Sequence, residues 1–269
     1  MKLIDCFGFY NEIEMLKYRL NVLDHLVDMF VIVESRHTFS GQAKRCTFDE
    51  HKHLEPFSRF RHKIIHVIVD DFPFKYPNID YTKNEQWANE HFQRNCIERG
   101  LNKLNLSPND IFTITDLDEI PDPQTLARIK AGEIPVTANM LEMDFYYYNL
   151  NSKIDNKWLF PKIVSYGVFK QRGLPCEGYR FMNCPIIQKG GWHLSYFGDI
   201  HFIKNKIVNF AHQEFNNDEF TDLSKIEQRV NGSSDLFDRD YNPVSKISSY
   251  HNDYLPPEYG GFVAKNILY

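Results

Sequence analysis

The sequence lacks any run of the roughly 18 apolar residues that a membrane-spanning helix needs. Its opening, MKLIDCFGFYNE, has no long apolar segment before the first acid, so a secretory leader is not expected. Cysteine is scarce and odd in number: Cys6, Cys46, Cys96, Cys176 and Cys184 are widely spaced and form no CxxC pair. That spacing argues against a disulfide framework or a thiolate metal site and for free thiols in a reducing compartment. A cytoplasmic protein is the expectation. A net charge of -5 over 269 residues excludes a broad basic surface for nucleic acid, though not a local basic pocket for a phosphorylated ligand. There is no GxxxxGK phosphate loop, internal repeat, low-complexity tract or Ser/Gly linker. One domain over 1–269 is therefore expected, and nothing in the sequence sets its oligomeric state.

What is abundant is aromatic surface, with 22 Phe and 15 Tyr, and an alternation of short apolar runs with amphipathic stretches. LIDCFGF, MFVIVES, KIIHVIVDD and DIFTITD read as strands. NEIEMLKYRLNVLDHL reads as a helix with Asn11 as its cap and Glu14 completing a box-like cap. NEQWANEHFQRNCIER reads as one long helix stopped by Gly100, and PDPQTLARIKAG as a short helix capped by Asp122 and ended by Gly132. This order predicts an α/β fold with a central, mostly parallel sheet over 1–132. The second half, 133–269, is different in texture. VTANMLEMDFYYYNL, KIVSYGVFK and CPIIQKGGWHLSY predict an aromatic-rich, mixed-strand extension, followed by helices near 199–211 and 221–230. An irregular C-terminal wrap closes the chain.

Parallel sheets bind ligands beyond the carboxyl ends of their strands. Glu34, Asp70 and Asp116 fall there. The stretch IFTITDLDEIPDP places Asp116, Asp118 and Glu119 within four positions at such an end. Clustered carboxylates repel and are costly to desolvate, so a bound cation makes sense of them. Hard divalent ions take carboxylate oxygens together with phosphate oxygens, which suits a reaction in which a diphosphate departs.

Four blocks in order carry a resemblance to a known family: DCFGFYNEIEMLKYRLNVLDHLVDMFVIVESRHTFSG, WANEHFQRNCIERGL, DLDEIP and GWHLSYFG. Over about residues 3–215 the chain resembles glycosyltransferase family 17. The resemblance implies a GT-A-like nucleotide-sugar transferase fold, with 1–132 as the donor-binding half and 133–269 as the acceptor-side half. It also implies an inverting transfer, UDP-GlcNAc as donor, and Mn²⁺ (or Mg²⁺). On that basis Asp118 is expected as a direct metal ligand. Asp116 is expected at the ribose or at the metal through water, with Glu119 behind them. The eukaryotic members are Golgi membrane proteins, whereas this sequence opens almost on its first strand. A bacterial or viral relative, with a glycan or glycolipid acceptor, is therefore the expectation.

Other side chains take roles from their surroundings. His193, after paired glycines, is the expected third metal ligand. Arg94 is suited to a diphosphate, or to holding Asp116 by a forked pair. Glu34 can accept from a uracil imide or a ribose hydroxyl, and Asn11 lies near the nucleotide if it does not cap the helix. Lys44, in the loop 35–45, is a candidate phosphate contact, and Trp192 a sugar-stacking residue. Inversion needs a carboxylate on the acceptor side to take the hydroxyl proton. Glu177 and Asp144 are the first and second choices. Two readings compete: a phosphoryl or nucleotidyl transferase using the same acids, and a non-catalytic glycan-binding protein.

Overall fold

The computed structural model describes residues 1–248 and 252–267. Its first half runs β1 (Leu3–Phe9), α1 (Ile13–Leu23), β2 (Met29–Ser35), α2 (Thr47–His51), β3 (Ile64–Val69), α3 (Glu85–Asn95), α4 (Ile97–Leu101), β4 (Ile111–Asp116), β5 (Glu119–Pro121) and α5 (Pro123–Lys130). Next come β6 (Ala138–Tyr147), β7 (Ser152–Trp158), β8 (Lys162–Ser165), α6 (Tyr166–Arg172), α7 (Cys176–Arg180) and β9 (Ile186–Ser195). The chain finishes with α8 (Ile200–Asn209), α9 (Asp218–Thr221), α10 (Leu223–Gly232), β10 (Val244–Lys246) and α11 (Phe262–Lys265). No helix among the described residues is long and apolar enough to cross a membrane.

The strands form one mixed sheet in the order β10-β7-β6-β8-β4-β1-β2-β3, with β9 joined to β6 and β5. The first four strands, β1 to β4, pair only in parallel with one another. β8 then turns the sheet antiparallel, and the rest is mixed. The α/β architecture expected from the sequence is present. Both faces of the parallel part are buried, as near-continuous apolar strands require. Alternation along β1 and β2 sends Leu3, Phe7, Phe30 and Ile32 to the core beneath α1. Ile4, Cys6, Val31 and Val33 go to the opposite core, against α4.

Local expectations are corrected at three places, and a fourth gains detail. Asn11 does not cap α1: the helix begins at Ile13, Glu12 takes the cap position without a side-chain bond, and Asn11 Nδ2 donates to Asn205 Oδ1 at 3.2 Å. The long helix is two, broken at Cys96, and Gly100 lies inside the second rather than ending the first. A Cβ on Gly100 would fall 2.3 Å from Val31 Cγ1, so this glycine serves helix–sheet contact. The third strand stops at Val69, before the two acids. The wrap near the C-terminus is fastened: Trp192 Nε1 donates to the Tyr254 carbonyl at 3.0 Å, and Tyr254 Oη donates to Asp122 Oδ2 at 3.0 Å. Residues 268–269 of that tail lie outside the described residues. The Asp122 cap of α5 is as expected, with Oδ1 accepting from Gln124 N at 2.8 Å.

β9 decides how the halves meet. It pairs in parallel with β6, setting Phe145 beside His193, and antiparallel with β5, setting Glu119 opposite His193. Gly191 permits this approach: its φ is +141°, and a Cβ there would lie 2.0 Å from the Ile120 carbonyl oxygen. Because that obstacle is backbone, it cannot step aside. Gly191→Ala is expected to destabilise the fold by about 3 kcal/mol or more, read from a denaturant titration. Parental stability in that variant would show that β9 can shift off β5.

Candidate active site

The acidic turn between β4 and β5 is held from behind by a buried arginine of α1. Arg19 Nε and Nη2 donate to the two oxygens of Asp5 on β1 at 2.8 and 2.7 Å. Its Nη1 donates to the carbonyls of Asp116, Leu117 and Glu119 at 2.8, 2.9 and 2.9 Å. Nη2 also reaches Thr115 Oγ1 at 2.7 Å. With the carbonyls of the turn drawn toward α1, the Asp116 and Asp118 side chains line a cavity on the other side. That cavity, of about 520 Å³, opens at the carboxyl ends of β1 and β4. Gly8, Phe9 and Ser35 border one part of it, and Phe145, Trp158 and Phe181 another.

The two aspartates are in different company. Asp116 is partly exposed and receives Arg94 Nη2 on Oδ1 at 3.2 Å and Arg180 Nη2 on Oδ2 at 2.9 Å. Burial pushes its carboxyl upward, but Arg180 and then Arg94 outweigh this and leave it below the ordinary range. Asp118 Oδ2 accepts from Lys206 Nζ at 2.8 Å, and Oδ1 lies 3.5 Å from His193 Nε2. Burial again raises and Lys206 then lowers, so Asp118 is held well below the carboxylate range. Lys206 is correspondingly raised: Asp118 and Glu12, 3.7 Å away, overcome its burial. Glu119 is fully buried behind the turn. Its oxygens accept from Trp158 Nε1 at 2.6 Å, from Arg180 at 2.6 and 2.8 Å, and from the Asp116 amide at 2.8 Å.

His193 is held by rings. Its imidazole stacks on Phe145 at 4.5 Å and lies 4.4 Å from Trp158. Its Nδ1 is buried without a hydrogen-bond partner, so its Nε2 edge toward Asp118 is fixed by packing rather than by a second acceptor.

The structure brings Asp116, Asp118, His193 and Arg94 to one cavity, and leaves the other expected residues off its lining. Glu34 is fully buried and spends its carboxylate on the Phe48 amide at 3.0 Å and on His66 Nε2 at 3.0 Å. Lys44 leans 3.7 Å from Glu34 instead of facing the cavity. Trp192 neighbours His193 on a strand, so alternation turns it to the opposite core beneath Tyr254. Asn11 is committed to Asn205. Neither expected base lines the cavity. Asp144 is buried between Lys153, at 2.6 Å, and Lys157. Glu177, at the start of α7, pairs with Arg94 and lies 3.3 Å from His91 Nε2. In each case the carboxylate has found a cation, which the sequence does not reveal.

Arg19, Arg180, Lys206 and Trp158 were not anticipated. Arg180 follows Glu177 by three residues on α7, and Lys206 lies on α8, far from the acidic turn in sequence. No local pattern marks either one.

The Asp118–Lys206 pair has a pH consequence. A carboxyl depressed in the folded state adds stability above its unfolded value of about 3.9, and that gain is lost as pH falls through the lower folded value. Lys206→Met removes the main depressing charge. Asp118 should then titrate at higher pH, with acid unfolding beginning earlier, read by carboxyl NMR and circular dichroism. An unchanged titration would mean that Lys206 does not set the charge of Asp118.

Comparison with known proteins identifies the family. The profile of Glycosyltransferase family 17 matches residues 1–243. The beta-1,4-mannosyl-glycoprotein 4-beta-N-acetylglucosaminyltransferases of Rattus norvegicus and Homo sapiens are each 32% identical over 122 residues. That segment is 45% of this chain and 22% of each relative, so the match spans about a fifth of the curated relatives' length. Among solved structures, S. aureus TarS 1-349 aligns with a TM-score of 0.41 at 14% identity, covering 86% of this chain and 74% of that one. The 4-diphosphocytidyl-2C-methyl-D-erythritol synthase aligns at 0.35 and 13%, covering 70% and 88%. With its profile match running from the first strand through the acidic turn and His193 to residue 243, the chain belongs to glycosyltransferase family 17.

Proposed function

We propose that the chain transfers a sugar, GlcNAc in the first instance, from a UDP donor to a hydroxyl of a glycan or glycolipid acceptor, with inversion and with a divalent metal. The observation that carries this reading is the family match joined to one geometric fact. The acidic turn opens into a cavity of about 520 Å³ flanked by Arg94, Arg180 and Lys206. Such a mixture of fixed acids and cations suits a nucleoside diphosphate.

The residues present fit a metal with two protein donors rather than three. Among the described residues no three His, Cys, Asp or Glu side chains converge on one point. Asp118 Oδ1 and His193 Nε2 face each other at 3.5 Å, and the imidazole's orphaned Nδ1 leaves its tautomer free to suit a ligand on Nε2. Asp118 and His193 would therefore hold Mn²⁺ or Mg²⁺, while Asp116 is occupied by two guanidinium groups. A bound metal supplies Lewis-acid neutralisation of the diphosphate as it leaves.

The chain's own groups do the rest. Arg180 locks Asp116 and Glu119 in one frame, so the turn cannot rotate its acids away from the cavity. Arg94, on α3 and braced there by Glu90 at 2.8 Å, joins the helix to that frame through Asp116. Phe145, Trp158 and Phe160 form an apolar flank that limits water at the reacting bonds. The expected cytoplasmic location stays part of this proposal.

Asp118→Asn should lower Mn²⁺-dependent release of UDP from UDP-GlcNAc by about 10²–10³-fold while circular dichroism stays unchanged. Full activity in that variant, or in chelator, would refute the metal reading. Release of a nucleotide from a different sugar nucleotide would redirect the donor assignment. Arg180→Lys keeps the charge but loses the fork. It should raise the KM for UDP-GlcNAc and reduce kcat by about tenfold or more, in steady-state kinetics on the same reaction.

A further inference from the structure

An inverting transfer needs a group to accept the acceptor's proton, and the carboxylates of the cavity are poorly placed for that work. Among the described residues four line it: Glu12, Glu90, Asp116 and Asp118. Each lies within 4 Å of a lysine or arginine. A paired cation favours the ionised carboxylate and weakens it as a base. Three histidines line the same cavity. His193 faces Asp118 and belongs to the metal reading. His37 has a buried Nδ1 with no partner, so no carboxylate orients its ring.

His212 differs from both. It follows α8 at the cavity wall, and its Nδ1 meets Glu214 Oε1 at 2.7 Å. Its ring is set edge-on to Trp87 at 4.4 Å and flanked by Phe210 and Phe215. The side chain is about half exposed, and among the described residues Nε2 has no protein partner. A carboxylate on Nδ1 selects the tautomer that leaves Nε2 as an acceptor, and it steadies the imidazolium that forms.

We infer that His212 is the general base of the transfer and Glu214 its positioning residue. This inference rests on the function proposed above. In the step, the acceptor hydroxyl gives its proton to His212 Nε2 as its oxygen bonds to the anomeric carbon. The anomeric carbon–oxygen bond to the diphosphate breaks, and its electron pair leaves with UDP. Glu214 stays ionised and accepts the Nδ1 hydrogen throughout. The proton on Nε2 passes to solvent after product release.

The test uses the whole chain with UDP-GlcNAc and Mn²⁺, water serving as acceptor, and UDP affinity measured separately by calorimetry. His212→Ala and His212→Gln should each lower kcat for UDP release by about 10²-fold or more with UDP affinity unchanged. Added imidazole should restore part of the rate to His212→Ala and none to the parent. Glu214→Gln should lower kcat by a smaller factor at unchanged KM, and Glu214→Asp should recover part of that loss. Parental turnover in both His212 variants overturns the inference and leaves the transferase reading standing. A parallel loss of UDP affinity also overturns it, by making His212 a nucleotide contact. A parent chain that binds UDP but never turns over the sugar nucleotide defeats the transferase reading, and the base assignment falls with it. Unchanged UDP affinity reports that each variant is folded.

Discussion

Arg19 is the interaction on which the site depends. A guanidinium with no solvent exposure is costly unless every donor is met. Here Asp5 supplies two acceptors, Thr115 one, and the backbone of the acidic turn three. The arrangement satisfies carbonyls that would otherwise face the apolar core beneath α1. It also fixes the sense of the turn. With three carbonyls drawn toward α1, the side chains at 116 and 118 have the cavity as their remaining outlet. The first helix and the first strand, which carry no residue of the cavity's charged set, thereby determine where its acids point.

On the cavity side, charge is balanced pair by pair. Two arginines hold Asp116, one lysine and one histidine attend Asp118, and Glu119 is enclosed by Arg180 and Trp158. Such a frame is preorganised: its dipoles and charges need little rearrangement when an anionic ligand enters. The aromatic wall has a different origin. Phe145, Tyr147, Tyr196 and Phe237 belong to a third core cluster shared with α8 and α10, and the cavity borders that core. That part of the aromatic wall is therefore as rigid as the hydrophobic packing behind it.

The parallel half was legible because its strands are buried on both faces. LIDCFGF and MFVIVES correspond residue for residue to β1 and β2, since a continuous apolar run bounded by polar residues has few other stable states. Elements whose limits rest on long-range contact were less so. The break at Cys96 and the internal Gly100 reflect how α4 meets Val31 on β2, which helical periodicity does not encode. The acidic turn stood out because three carboxylates at a strand end are unfavourable without partners. The identity of those partners was not readable: Arg94, Arg180 and Lys206 lie 22, 64 and 88 positions away from the aspartates they contact.

Sequence alone determined the α/β order, the acidic turn at the end of β4, the cap at Asp122 and the glycines before His193. Each of these is set by local periodicity, backbone conformation or the cost of crowding like charges. Tertiary structure alone decided which acids line the cavity and which pair with cations away from it. Glu34, Asp144 and Glu177 look as eligible as Asp118 in one dimension. They differ in where the packing sets them: all four carboxylates take a partner, but only that of Asp118 also lines the cavity, and that placement depends on contacts between segments far apart in the chain.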